Sequence, residues 1–435
     1  MNLLNKALAL IFMVMMTMTA SVSVAQDINE SNLTRSPYSR YGYGKLGSLG
    51  NASTKGMGDL GIALRTNNYT TIANPASLTA IDTLTMIFSV GLDADFSSFS
   101  EKGITERNWD AGFSYMSFHF PLWRNFAMSL SLTPYSMVGY YYGNTEKKPL
   151  DSPINKHDSL TVQSVYDGVG GINNFMMGIG YRPWVTKMNE LSVGVNVGFL
   201  FGSIQHTASA ITSSQANSTL VTHEMSARGL FFKAGVQYTR RLNAVRSFTV
   251  GATFQPELNL SVDAAELKIS TDTIQFNEEY RHMIKSPMSL GFGASYNVAR
   301  QLTVSAEYEY TNWSSVRSLN TDLNISHDLF TDTHRITVGA EYIPRAGTNR
   351  FWQNCRYRVG AATKNSYMVI DDAKFREYGV NAGLSMPVNR RCFLDFAVGY
   401  SRMQPSKATL LKENYLTFTM GVTFNEMMFF RNKLR

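Results

Sequence analysis

The side chains best placed to do chemistry in this chain are charged residues set at alternate positions within otherwise apolar stretches. Glu307, Glu309, Arg335, Glu341, Arg356 and Arg358 fall in three successive stretches of this kind, and Asp93, Asp95, Lys233 and Asp395 hold comparable positions elsewhere. In an extended chain every second side chain points to the same face, so all of these would share the face opposite the apolar one. Such a set has two uses. It can form a polar gate or a site that grips a carboxylate head group through Arg356 or Arg358, or it can brace an inner plug and the barrel wall through ion pairs. The seven histidines (His119, His157, His206, His223, His282, His327 and His334) are scattered, and no two have the i, i+4 spacing of a helical metal site. His157-Asp158-Ser159 contains the residue types of a hydrolytic triad, but residues adjacent in sequence cannot orient one another as a triad requires. No glycine-rich loop precedes a helix. The expectation is no catalytic centre, no metal and no cofactor.

The elements that must carry these charges read as strands. Leu416, Phe418, Met420, Val422 and Phe424 alternate with Thr417, Thr419, Gly421, Thr423 and Asn425. Leu302, Val304, Ala306, Tyr308 and Tyr310 alternate in the same way with Thr303, Ser305, Glu307, Glu309 and Thr311. The period of two predicts about fourteen strands, near 84–98, 105–120, 123–143, 163–182, 190–207, 219–241, 246–268, 276–297, 301–316, 329–344, 351–364, 374–387, 391–404 and 411–425. A soluble sandwich also alternates, so other features must decide. The second face is rich in Gly, Ser and Thr, as a wet lumen requires. Trp123, Tyr181, Trp184, Tyr296, Trp313, Tyr342, Trp352 and Tyr400 fall towards strand ends, as in an aromatic girdle. Short connections, such as Pro121-Leu122, 183–189, 242–246, 298–301, 344–350 and 388–390, alternate with longer polar ones such as 144–162 and 317–328. Lipid offers no partner to an open sheet edge, so the fold class is an all-β transmembrane antiparallel barrel of about 14 strands. The alternation breaks near Tyr115 and Met116, which predicts a bulge.

The chain has 435 residues, 44% hydrophobic and 17% charged, with a net charge of +7. Lys6, the apolar run 7–18 and the small residues Ser23-Val24-Ala25 form the layout of a secretory signal cleaved near Ala25. No later apolar run reaches the ~18–20 residues of a spanning helix. These features place the chain in the outer membrane of a Gram-negative bacterium, with membrane lipid as a partner. The charge is spread along the sequence, without a block that would recruit nucleic acid. Cys355 and Cys392 each begin a predicted strand with another strand between them. Next-but-one strands are ~10 Å apart, beyond disulfide reach, so both should be free thiols. The expected organisation is a signal at 1–25, an N-terminal plug or hatch at 26–82, a barrel at 83–425 and a basic periplasmic tail at 426–435.

Residues 26–82 do not alternate like the barrel. They contain Tyr38-Ser39-Arg40-Tyr41-Gly42-Tyr43-Gly44, then Gly56-Met57-Gly58-Asp59-Leu60-Gly61-Ile62-Ala63, then Asn74-Pro75-Ala76. The last two, with Pro287-Met288-Ser289-Leu290-Gly291-Phe292-Gly293 running on to Trp313, resemble the FadL/TodX (OMPP1) family of outer-membrane transporters in the form found in Bacteroidetes-type bacteria. There is a more distant likeness to PorV. The resemblance implies a fourteen-strand barrel closed by a hatch, with Gly56, Gly58, Gly61, Asn74, Pro75 and Ala76 as the hatch motif. It also implies passive uptake of a hydrophobic small molecule, fatty-acid-like or aromatic, with lateral escape where one strand kinks inward. The alternative, implied by the PorV likeness, is a barrel that acts as a partner platform for a periplasmic or secretion-system protein in secretion or surface attachment.

Overall fold

The structure, a computed structural model, describes residues 34–427 except 70, 150–158, 213–217, 271–272, 300, 317–329, 346–347, 349 and 390. The expected signal, His157, His327 and the tail beyond 427 lie outside the described residues. The barrel strands are β1 (Thr85–Glu101), β2 (Ile104–Trp123), β3 (Phe126–Pro149), β4 (Ser159–Val185), β5 (Asn189–Thr212) and β6 (Thr219–Arg241). Next come β7 (Arg246–Gln255 and Leu258–Ser270), β8 (Thr273–Ser286 and Met288–Val298), β9 (Leu302–Asn312) and β10 (Thr333–Tyr342). The last four are β11 (Arg356–Ile370), β12 (Ala373–Pro387), β13 (Cys392–Pro405) and β14 (Lys412–Met427). Each ladders antiparallel with its neighbours, and β14 pairs with β1 from Lys412 against Ser100 to Met427 against Thr85. The result is a closed fourteen-strand antiparallel barrel. Closure pairs most backbone groups of the wall with one another, as a hydrocarbon surround demands.

The alternation read from the sequence is the inside–outside alternation of the wall. On β5, Val193, Val195, Val197, Phe199 and Phe201 face out, while Ser192, Asn196 and Leu200 are buried inside. Details differ from the sequence reading. The first short turn is at Arg124-Asn125 rather than Pro121-Leu122, because β2 runs on to Trp123. Phe351–Asn354 is a four-residue helix, so β11 starts at Arg356 rather than 351. β9 ends at Asn312, four residues early, and Trp313 then turns into the lumen with 2% exposure instead of joining the girdle. Short helical turns also occur at Pro37–Arg40, Ala52–Lys55 and Pro75–Ala80, where no helix was expected. None of the described helices is long and apolar enough to cross a membrane.

Three irregularities shape the wall. β7 and β8 are both interrupted at prolines, Pro256 and Pro287, which lie across from each other because Gln255 pairs with Ser289 and Leu258 with Ser286. Proline has no N–H to give to a ladder, so the two interruptions make one joint bend. In β2 the pairing steps from Gly91–Tyr115 to Leu92–Phe113, leaving Ser114 as the extra residue of a bulge, one position before the predicted break. Beyond that bulge the wall is split. β2 ladders with β3 only over 116–123 against 126–132, and no described residue of 104–115 pairs with β3.

The described residues of 34–81 lie inside the barrel. Their lower part, from the helix Ala52–Lys55 to Pro75–Ala80, packs on a polar, glycine-rich stretch of wall. Their upper part joins an apolar cluster in the outer half of the lumen. That cluster gathers Val138 and Tyr140 of β3, Leu200 of β5, Leu260 and Val262 of β7, Ile284 of β8 and Phe375 of β12 around Tyr38 and Tyr43.

Candidate functional site

The lower inner segment is held by polar side chains of the wall, and the sequence-derived charges supply much of that hold. The Glu307 carboxylate accepts hydrogen bonds from three successive backbone amides: Gly61 (3.0 and 3.1 Å), Ile62 (2.7 Å) and Ala63 (3.0 Å). Consecutive N–H groups converging on one anion form a nest, in which partial positive charges replace water around the carboxylate. Arg335 donates to the Gly58 carbonyl at 2.8 Å and to Asp59 at 3.2 Å. Both Gly58 (φ 78°) and Asp59 (φ 72°) are left-handed, a turn that glycine enters freely and aspartate tolerates.

The remaining candidates are arranged separately. Glu309 faces Lys233 at 3.8 Å and accepts from Ser289 at 3.3 Å. Arg358 donates to Glu341 at 2.7 Å, bonds to Ser385 and stacks 5.1 Å above the Tyr69 ring. Arg356 stacks 4.8 Å from the Phe393 ring. The six residues singled out in the sequence are thus all inside the lumen, but they divide into an upper set around Gly58–Ala63 and a lower set around Tyr69. Among the described residues, no two of Arg335, Arg356 and Arg358 line a common cavity.

Asn74, Pro75 and Ala76 form a second anchoring point. The Asn74 amide donates to the Ile62 carbonyl at 2.7 Å, and its oxygen accepts from the Ala76 N–H at 3.0 Å, which caps the turn Pro75–Ala80. The wall opposite is cut to fit. A Cβ on Gly235 would lie 2.0 Å from the Asn74 oxygen, and one on Gly194 would lie 2.5 Å from the Pro75 carbonyl carbon. Gly56 packs against Gly383 in the same way, whereas Gly61 sits in the Glu307 nest. Lys55 pairs with Asp93 and donates to Ser114 at 2.7 Å, Ser53 donates to Asp395 at 3.0 Å, and Arg65 pairs with Glu190.

The split wall is where the sequence reading lacked the partner. The exposed edge of β3 is occupied by the inner segment itself. A two-residue strand, Lys45–Leu46, pairs with Met137 and Ser136, and the Gly47 N–H donates to the Tyr135 carbonyl at 2.9 Å. Further out, the Ser39 hydroxyl donates to the Gly139 carbonyl and accepts from the Gly139 N–H, both at 3.1 Å. The β2 edge is met by Arg35, which bonds to Asp110 at 3.0 Å. Residues 34–47 therefore form a strap along the slit between β2 and β3. Lys45 reaches Asp95 at 2.9 Å.

Behind the strap lies a four-ring cluster. Trp313 stacks on Tyr367 with centroids 4.4 Å apart, and Tyr43 and Phe330 complete the group. The Tyr367 hydroxyl donates to the Gly44 carbonyl at 2.6 Å and accepts from the Tyr43 N–H at 3.1 Å, which ties the strap to β11. The signal for this site was present as the aromatic run Tyr38 to Tyr43, but nothing local says that its partners are Trp313, Phe330 and Tyr367.

A closed fourteen-strand wall, apolar outside and enclosing its own N-terminal segment, defines an outer-membrane β-barrel of FadL-like fold. Within that class the family is specific. The family model described as BamG matches residues 6–435, and the chain belongs to the BamG family. Among solved structures it resembles the CymD monoaromatic hydrocarbon channel, with a TM-score of 0.56 and 14% identity over 89% of this chain and 99% of that one. A Pseudomonas aeruginosa FadL homologue superposes with a TM-score of 0.56 at 12% identity, covering 87% and 99%. The Ralstonia pickettii toluene transporter TbuX gives 0.51 at 15% identity, covering 87% and 98%. At these identities the likeness is one of fold. No curated protein matches the sequence.

Proposed function

We propose that the barrel passively admits a hydrophobic small molecule from outside and releases it sideways into the membrane between β2 and β3. One observation carries this reading: the strap 34–47 both lines the unpaired slit and fills the apolar chamber behind it with Tyr38 and Tyr43. Moving one segment would therefore open the chamber and the exit together. Withdrawing two large side chains from an apolar site costs on the order of 2–3 kcal/mol each. An apolar solute that takes their place recovers that term, so ligand entry and strap release are coupled. In this reading the lower inner segment acts as a plug, with Gly56, Gly58, Gly61, Asn74, Pro75 and Ala76 seating it, and blocks an aqueous route to the periplasm. The channels that share the fold carry monoaromatic hydrocarbons, which supports an aromatic or fatty-acid-like solute of similar size. The lumen charges then serve as fixed anchors.

The test is a disulfide across the strap. Leu46 and Ser136 are directly opposed in an antiparallel pair, where Cβ atoms are ~4.5–5.5 Å apart and can be bridged after a small adjustment. In a background with Cys355 and Cys392 replaced by serine, Leu46→Cys/Ser136→Cys should block uptake of toluene or oleate into cells when oxidised and restore it on reduction. Equal uptake in the two redox states refutes the strap as the gate.

A further inference from the structure

Away from the slit, the periplasmic rim carries a basic and apolar groove that the uptake reading does not use. It lies across the β4–β5 turn and the β6–β7 turn, has a volume of about 760 Å³, and is lined by Lys187, Met188, Arg241, Val245 and Arg246. Among the described residues no carboxylate lines it. Met188 is 49% exposed and Val245 53%, with Leu242 beside them at 47%. Among the described residues, Lys187 and Arg246 have no carboxylate partner. Arg241 has only a share of one: Glu190 is also held by Arg65 and by Arg182 at 3.0 Å, and lies 3.6 Å from Arg241. Three guanidinium groups around one carboxylate leave unspent positive charge at the edge of the groove.

We propose that this groove docks an extended segment of a periplasmic protein in which carboxylates flank an apolar residue. Exposed Met with Arg at its border is the composition of a protein interface core and rim. The shape favours a polypeptide over lipid. Through Arg241, Ser247 and Asn297 the groove continues into a cavity of about 480 Å³ beneath the inner segment, whose lining includes the polar residues Asn67, Asn68 and Thr249. The β5–β8 wall separates that cavity from the bilayer, so a phospholipid head group could cover the turns but not enter it. An extended chain can do both. The carboxylates within the cavity are Glu190, Asp82 and Glu341, and Glu341 is already paired with Arg358. The docking is independent of passage through the slit.

The probe is a fluorescein-labelled peptide of alternating Glu and Leu, with a Gln and Leu peptide as control, titrated by anisotropy against the purified full-length barrel. The Glu peptide should bind, weaken at least about tenfold between low and high salt, and exceed the Gln peptide by a similar factor. Lys187→Gln/Arg246→Gln should lose at least about tenfold in affinity while keeping the heat-modifiable mobility of a folded barrel. Arg350→Gln, on the turn before β11, should bind as the parent does. Equal binding of the two peptides, retention in the double variant, or equal loss in Arg350→Gln overturns the proposal. So does loss of peptide binding on moving the parent from detergent into nanodiscs containing phosphatidylglycerol, which would assign the groove to lipid.

Discussion

Replacing Glu307 by alanine tests whether the inner segment is fixed by the nest or merely enclosed. The carboxylate satisfies the N–H groups of Gly61, Ile62 and Ala63, each within 3.1 Å, at a largely buried position beside a lumen cavity of about 220 Å³. Alanine leaves three donors without an acceptor. At about 1 kcal/mol for each orphaned amide, the lower end of the range for buried groups, the local loss is about 3 kcal/mol. At 1.4 kcal/mol per factor of ten, this corresponds to somewhat more than a hundredfold in the opening equilibrium of that turn. Hydrogen exchange of the folded protein, read by mass spectrometry on peptides covering 56–64, should accelerate by that factor. Exchange in β9 should hold, because its ladders with β8 and β10 use backbone groups that the substitution leaves in place. Glu307→Gln keeps one oxygen acceptor but brings two N–H donors towards amide donors, so it should fall between parent and alanine. Unchanged exchange at 56–64 in the alanine variant would refute the nest as an anchor. Equal acceleration in β9 would mean that Glu307 supports the wall instead.

Other outcomes follow from the same geometry. Gly235→Ala sets a methyl against the Asn74 side chain and should cost roughly 1–3 kcal/mol through overpacking, seen as faster proteolysis within 65–80 in an otherwise folded barrel. Tyr367→Phe removes the hydroxyl contacts to Tyr41, Tyr43 and Gly44 of the strap and should raise toluene uptake while lowering the thermal midpoint slightly; lower uptake would contradict the tie. Cys392 should react with a maleimide in the folded protein and Cys355, which is fully buried, only after unfolding, with no disulfide on non-reducing gels.

How far the sequence could be read follows from which interactions are local. The wall was legible because inside–outside alternation is written into each strand: β9, β12 and β14 need nothing beyond their own residues to fix their faces. Pro256 and Pro287 were hidden within strands taken as continuous, since one proline in a long apolar pattern does not reveal that a second lies across from it. Trp313 was misplaced for a similar reason. A tryptophan after a strand looks the same in sequence whether it reaches lipid or turns inward, and only the ring of Tyr367 decides. For the charges, the inward direction was legible but the partners were not. Glu307 meets backbone amides 244 to 246 residues away, and a peptide N–H has no sequence signature. The strap is the extreme case, because its role depends on a ladder that β2 and β3 fail to make.

The enclosed segment also constrains how this barrel can be made. The described residues of 34–81 precede every barrel strand, yet they lie within a wall whose last seam joins β14 to β1. A closed ring cannot take up such a thread by its side, so the segment either enters through the barrel mouth or is in place when the seam forms, and its contacts beside the seam favour the second order. Ser53 and Ala52 reach β13 and β14 at Asp395 and Gly421, beside that seam. The inner segment would therefore act during biogenesis as a mandrel around which the sheet curls, and a chain lacking residues 34–84 should close slowly or stall as an open sheet, a result readable from the time course of heat-modifiable mobility during refolding into lipid.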